Sequence, residues 1–122
     1  MTKILLVEDD PMLQDIYITK LKEKGFEVSL ASDGEKVMPQ LQKTKPDLML
    51  LDIVLPLRDG WEVLSEVRKD PAWNNMKIVV LSNIGEPSDV EKGFALGANL
   101  YLIKAHFTPS QVVGEINKLL TK

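Results

Sequence analysis

Five short apolar runs, each followed by a helix-like stretch, predict an α/β domain of (βα)5 design around a parallel five-stranded sheet. The middle run, Leu48–Leu51, is apolar at every position, as expected of a strand covered on both faces. Parallel strands joined through helices need right-handed crossovers, so helices are expected on both sides of the sheet. With 122 residues, 44% apolar and 27% charged, the chain suits one domain spanning residues 1–122. It shows no linker, repeat or low-complexity segment.

Lys3–Val7 is the first strand, and Glu8-Asp9-Asp10 follow it directly. Asp10-Pro11 starts a helix, since an acid caps the first free N–H groups and proline there gives up no bond. Met12, Ile16 and Leu21, with Tyr17 nearby, make its expected inner side, and Gly25 ends it. Glu27–Ala31 alternates as a strand does. Ser32-Asp33-Gly34 turns into a second helix through about Lys43, in which Pro39 is expected to make a kink. Lys45-Pro46-Asp47 then interrupts the chain before the central strand.

Beyond Pro56, Arg58-Asp59-Gly60 is a turn and Trp61–Lys69 an amphipathic helix carrying Val63, Leu64 and Val67 inward. Asp70–Met76 is a loop, and Lys77–Leu81 a fourth strand ending at Ser82-Asn83. Glu86–Leu96 is a helix closed by Gly97, and Leu100–Ile103 a fifth strand ending at Lys104. Thr108-Pro109 repeats the cap-plus-proline start and opens a last helix to about Leu120.

Composition removes several classes of function. There is no cysteine and one histidine, His106, so thiol chemistry, disulfides and multi-histidine metal sites are excluded. The formal charge is −3 with scattered basic residues, which argues against direct nucleic-acid binding by the chain itself. No apolar run approaches the ~20 residues of a membrane span. Without a leader pattern after Met1, a cytoplasmic location is expected.

Polar residues close four of the five apolar runs. Glu8 and Asp9 follow the first, Asp52 the third, Ser82 the fourth and Lys104 the fifth. In a parallel sheet all these ends share one edge, where open α/β sheets bind their ligands. Singly, Asp9 could cap a helix, Ser82 satisfy a turn and Lys104 stand free in solvent; Asp10 reads as a cap. Together they look like an acidic pocket for a hard divalent ion such as Mg²⁺. A hydroxyl and an ammonium beside it suit phosphate oxygens, with one carboxylate available as nucleophile.

These motifs are similar to those of the receiver domain of two-component response regulators. The resemblance spans essentially the whole chain: VEDD after the first strand, LLDIVLP and DG at the third, LS at the fourth, GANLYLIK at the fifth. It implies a flavodoxin-like fold with strand order 2-1-3-4-5. It further implies that Asp52 accepts a phosphoryl group from a sensor histidine kinase or phosphotransfer protein. Glu8, Asp9, Asp52 and the backbone carbonyl of Val54 would hold Mg²⁺. Lys104 would neutralise phosphoryl oxygens, Ser82 would move to hydrogen-bond them, and Tyr101 would be the aromatic switch coupled to that movement. An unidentified protein effector would read the change. With no output domain expected, a stand-alone, chemotaxis-regulator-like switch is implied, either monomeric or a weak phosphorylation-dependent dimer.

Other readings fit less well. A flavodoxin-like cofactor binder needs a hydroxyl- and glycine-rich phosphate loop after the first strand, where this chain has three acids. An Asp-nucleophile phosphatase needs a second acid two residues beyond Asp52, where Val54 stands. A receiver used only as a scaffold would not need Asp52, Asp9, Ser82 and Lys104 all in place. Several positions depart from the family's usual pattern: Leu55 for Met, Ser82 for Thr, Asn83 for a small residue, and Ala105 for the proline after the lysine. Lys104-Ala105-His106-Phe107 also carries one residue more than usual. A trans Lys104–Ala105 bond is therefore expected, because a cis bond without proline costs about 2.5–4 kcal/mol. His106 reads as an exposed loop residue.

Overall fold

The all-apolar run Leu48–Leu51 becomes the middle strand because each of its faces finds a covering layer. Leu48 and Leu50 join a cluster with Ile4, Leu6, Val79, Leu81 and Leu102, closed by Tyr17, Leu21, Val112, Val113 and Ile116. Met49 and Leu51 join the opposite cluster with Leu5, Val7, Ile78 and Val80, closed by Val37, Leu41, Val63, Leu64 and Val67. Burying each such side chain contributes about 1.5–3 kcal/mol, which makes this strand the anchor of both layers.

The computed structural model describes residues 1–121. The strands β1 (Lys3–Val7), β2 (Glu27–Ala31), β3 (Leu48–Leu51), β4 (Lys77–Ser82) and β5 (Leu100–Ile103) form one parallel sheet in the order 2-1-3-4-5. The helices are α1 (Pro11–Glu23), α2 (Val37–Thr44), α3 (Gly60–Lys69), α4 (Pro87–Ala95) and α5 (Pro109–Leu120). The core clusters put α1 and α5 on one face and α2, α3 and α4 on the other.

Local chemistry sets the helix starts. The Asp10 carboxylate accepts from the N–H groups of Met12 at 2.9 Å and Leu13 at 3.4 Å. That cap fixes the phase of α1, so Leu13, Tyr17 and Leu21, spaced four apart, face the sheet. Met12, expected on the inner side, is 70% exposed. Pro39 does not kink α2. The turn after Asp33 is a short 3₁₀ segment, Gly34–Lys36, and the α-helix begins only at Val37. Pro39 thus falls in the first turn, where its missing N–H would have had no partner. Ser82, expected just beyond β4, belongs to its ladder and pairs with Ile103. Part of the expected loop 70–76 is also regular, with a 3₁₀ turn over Pro71–Trp73.

Gly34 holds the β3–α3 connection against the start of α2. Its N–H donates to the Pro56 carbonyl at 3.2 Å, and a Cβ built on it would overlap the backbone carbonyl of Arg58. Backbone cannot swing aside as a flexible side chain can. Gly34→Ala should therefore destabilise the fold by about 3 kcal/mol, the upper range for overpacking, in urea unfolding. A loss under about 0.5 kcal/mol would show that the connection yields freely.

Candidate functional site

The register of the sheet determines which side chains meet. Val7 pairs with Leu51, so Glu8 and Asp52 leave neighbouring strands at the same level. The Asp52 N–H continues the ladder by donating to the Val7 carbonyl at 3.1 Å. Lys104 follows β5, two strands away from β3, and reaches back over β4. Its Nζ stands 2.8 Å from Glu8 Oε1 and 2.8 Å from Asp52 Oδ2. Carboxylate oxygens of Glu8, Asp9 and Asp52 lie within 4.8 Å of one another. Glu8 is 2% exposed and Asp52 6%, whereas Asp9 is exposed to solvent.

Both oxygens of Asp52 are engaged. Oδ1 accepts from the Val54 N–H at 3.1 Å, and Oδ2 faces Lys104. Glu8 is held more fully: Oε2 accepts from the Asp10 N–H at 3.1 Å and Oε1 from Lys104. Burial pushes the Glu8 carboxyl above its ordinary value, and its bonds to Lys104 and Asp10 only partly offset this. For Lys104, burial works to lower the pKa, but the bonds and charges of Asp52 and Glu8 outweigh it and hold the ammonium above its usual value. Tyr17, buried on α1, also feels this cluster; burial is the main reason its phenol is pushed up, with Lys104 opposing.

Ser82 and Tyr101 lie beside the acidic group and meet at a third residue. Ser82 is fully buried, and its Oγ accepts from the Ile84 N–H at 3.3 Å. The Tyr101 hydroxyl donates to the Ile84 carbonyl. One residue of the β4–α4 loop is thus held through its N–H by the serine and through its carbonyl by the tyrosine. The Tyr101 ring packs against Gly93 of α4, where a Cβ would stand 2.7 Å from the ring.

The stretch after Lys104 differs from a proline-bearing loop as expected. The Lys104–Ala105 bond is trans. A 3₁₀ turn over Lys104–His106 takes up the extra residue, and Thr108 caps α5 by accepting from the Gln111 N–H at 3.2 Å. His106 is exposed. One participant had no signal in the sequence: Gln14 of α1, whose Nε2 donates to the Glu8 carbonyl at 2.7 Å. A glutamine on a helix has no distinguishing neighbours, and only the crossing of α1 over the end of β1 reveals its partner.

Residues 4–117 match the model of the response regulator receiver domain. The chain belongs to this family. Receiver domains act as phosphoacceptor switches in two-component signalling, and the receiver match supports that role here. The chain is 32% identical over 122 residues to the DNA-binding dual master transcriptional regulator RpaA of Synechocystis, covering 100% of this chain and 50% of that protein. A crystal structure of a putative response regulator from Chloroflexus aurantiacus superposes with a TM-score of 0.90 at 32% identity, covering 99% of this chain and 98% of the other. The Mn²⁺-bound form of response regulator Rcp1 gives 0.86 at 30% identity, covering 98% and 94%.

The chain spans about half the length of the curated relatives it matches. Those relatives are named as transcriptional regulators, so the expectation of a stand-alone, chemotaxis-regulator-like protein without nucleic-acid contact draws no support from them. Among the described residues no helix is long and apolar enough to cross a membrane.

The ion pairs of Lys104 have a definite pH signature. Its pKa is higher folded than unfolded, so the stability it contributes is complete at neutral pH and is lost as pH rises past the ordinary lysine value. Glu8 is also raised, so its ionisation weakens the fold as pH rises above the carboxylate range. Lys104→Met removes the shared cation from two buried carboxylates. It should cost about 3 kcal/mol near pH 7, the lower end for breaking a buried pair. In denaturant titrations the deficit should shrink as pH falls toward the carboxylate range, because Glu8, already raised by burial, takes up a proton there. A deficit independent of pH would remove the electrostatic account of the bridge.

Proposed function

We propose that Asp52 is the phosphoacceptor, that it takes its phosphoryl group from a phosphohistidine of a sensor kinase or phosphotransfer protein, and that Ser82 and Tyr101 report the added charge to a protein effector. The observation that carries this reading is a nearly buried carboxylate gripped at both oxygens, by the Val54 N–H and by Lys104, within 4.8 Å of two further acids. An oxygen of Asp52 attacks phosphorus while the bond to the donor's imidazole nitrogen breaks and the nitrogen keeps the electron pair. Such a transfer depends on alignment and on neutralising charge rather than on further covalent help. The Val54 N–H orients the nucleophile, and Lys104 is already in place to meet the phosphoryl oxygens.

The donor chemistry suits Mg²⁺. Glu8, Asp9 and Asp52 offer oxygen ligands only, with an excess of negative charge over the single Lys104, and the pocket opens to solvent at Asp9. These three, with the backbone carbonyl of Val54, would hold the ion, which when bound would neutralise charge developing on the phosphoryl group. The Mn²⁺-bound Rcp1 supports the same assignment.

The switch follows from the shared hold on Ile84. To bond a phosphoryl oxygen, the Ser82 Oγ must shift toward Asp52, which draws it away from the Ile84 N–H it now accepts from. The loop then loses one of its two restraints, and the Tyr101 hydroxyl moves with the Ile84 carbonyl it holds. A local change in charge thus becomes a change in a packed element.

A small-molecule phosphodonor with Mg²⁺ should add one phosphoryl mass to the protein, and Asp52→Asn should abolish the addition. Labelling that survives in Asp52→Asn would place the acceptor elsewhere. The phosphorylated form should also be long-lived. Val54, 58% exposed, and Ile84, half-buried, are apolar where a hydrogen-bonding side chain could orient an attacking water. Combining Val54→Asn with Ile84→Glu should hasten loss of the phosphoryl group by about tenfold, below the ~100-fold low end for full acid–base catalysis because these side chains would only orient the water. Equal or slower decay in the double variant would refute the argument.

A further inference from the structure

The carbonyl of Glu8 lies where the sheet ladder stops. The β1 ladder pairs Val7 with Ala31 and Leu51, and the Glu8 N–H makes one further bond to the Ala31 carbonyl at 3.1 Å. The Glu8 carbonyl is satisfied from outside the sheet: Gln14, six residues on and one turn into α1, donates its Nε2–H to it at 2.7 Å. Gln14 is itself fixed, because its backbone N–H donates to the Asp10 carbonyl at 2.9 Å in the first turn of the helix. The peptide leading into Asp9 is therefore clamped on both sides, by Gln14 before it and by the Asp10 N–H bonded to Glu8 Oε2 after it.

Asp9 needs this clamp. Glu8 and Asp52 are oriented by side-chain partners, but Asp9 is exposed, and among the described residues its direction is set by its backbone alone. The geometry points to Gln14 as a positioning residue for cation binding: by holding the Glu8 carbonyl it presets Asp9 toward Asp52 before any ion arrives. This rests on the reading of Glu8, Asp9 and Asp52 as the divalent-ion site. A preset ligand need not be ordered on binding, so losing the clamp lowers affinity without changing the chemistry once the site is filled.

The test is a Mn²⁺ titration of the full chain followed by electron paramagnetic resonance, alongside labelling by a small phosphodonor over a range of Mg²⁺. Gln14→Met keeps the length of the side chain and removes the N–H; Gln14→Leu also removes it, and neither adds a charge beside the cation site. Both should raise the Mn²⁺ dissociation constant by about three- to tenfold, the reach of one neutral hydrogen bond. The half-saturating Mg²⁺ for labelling should rise in parallel, with the rate at saturation unchanged. Gln14 is half-buried and belongs to neither core cluster, so folding should survive; if Gln14→Met does not fold, Gln14→Leu carries the test. Asp9→Asn serves as the reference. Weaker Mn²⁺ binding in Asp9→Asn with wild-type binding in the Gln14 variants overturns the role of Gln14 and leaves the ion site standing. Wild-type binding in Asp9→Asn overturns the ion site itself. A reduced saturated rate at unchanged affinity also refutes the positioning role.

Discussion

Lys104 Nζ lies 2.8 Å from both Glu8 Oε1 and Asp52 Oδ2, joining the ends of β1, β3 and β5 through one ammonium. Two nearly buried carboxylates at this separation would repel, and at least one would take up a proton. The ammonium between them offsets that repulsion, which suits the roles of nucleophile and ion ligand proposed for them. Lys104 must cross the level of β4, and the 3₁₀ turn over Lys104–His106 lets the chain continue into α5 while the ammonium stays inside.

The sheet makes this contact possible at little cost in order. Its five strands are parallel and buried on both faces, so their ends are fixed by apolar packing rather than by the charges they carry. The other end of the sheet has its own brace. Arg68 of α3 donates to the carbonyls of Gly97 and Trp73 at 2.9 and 2.7 Å and to Asn99 Oδ1 at 2.9 Å. Asn99 Oδ1 also accepts from the Ile78 N–H at 2.8 Å, which ties the start of β5 to the start of β4. With β5 anchored there, the position of Lys104 at the far end follows from strand geometry. Ion pairs at a sheet edge add modest stability, so their value here is in arrangement.

Two kinds of restraint surround the acids. Glu8 and Asp52 are held tightly, by side chains and by backbone N–H groups belonging to their own loops. Ser82 and Tyr101 are held through Ile84, a loop residue whose two bonds can be exchanged without unfolding any strand. Under the proposed function this division is what a switch needs: a rigid acceptor beside an exchangeable contact, so that added charge changes the contact and not the acceptor.

Much of this was legible in the sequence. Apolar runs of strand length, capping acids followed by proline, and glycines after helices mark the five units, because those signals are local and backbone-driven. The site acids and Lys104 were legible for a related reason: a polar residue that ends an apolar strand must lie at the sheet edge. What the sequence misplaced depends on phase and register. Met12 was expected inside, but the Asp10 cap rotates α1 so that Leu13 faces the core. Pro39 was expected to kink a helix, but the helix starts late enough to receive it in its first turn. Gln14 and the double hold on Ile84 carry no sequence mark at all, since each joins a side chain to a backbone group of another element. The sequence by itself determined which residues would end the strands, because hydrophobic burial reads the chain one residue at a time. The tertiary structure alone decided which of them touch, because contact depends on how far each strand extends past its neighbour.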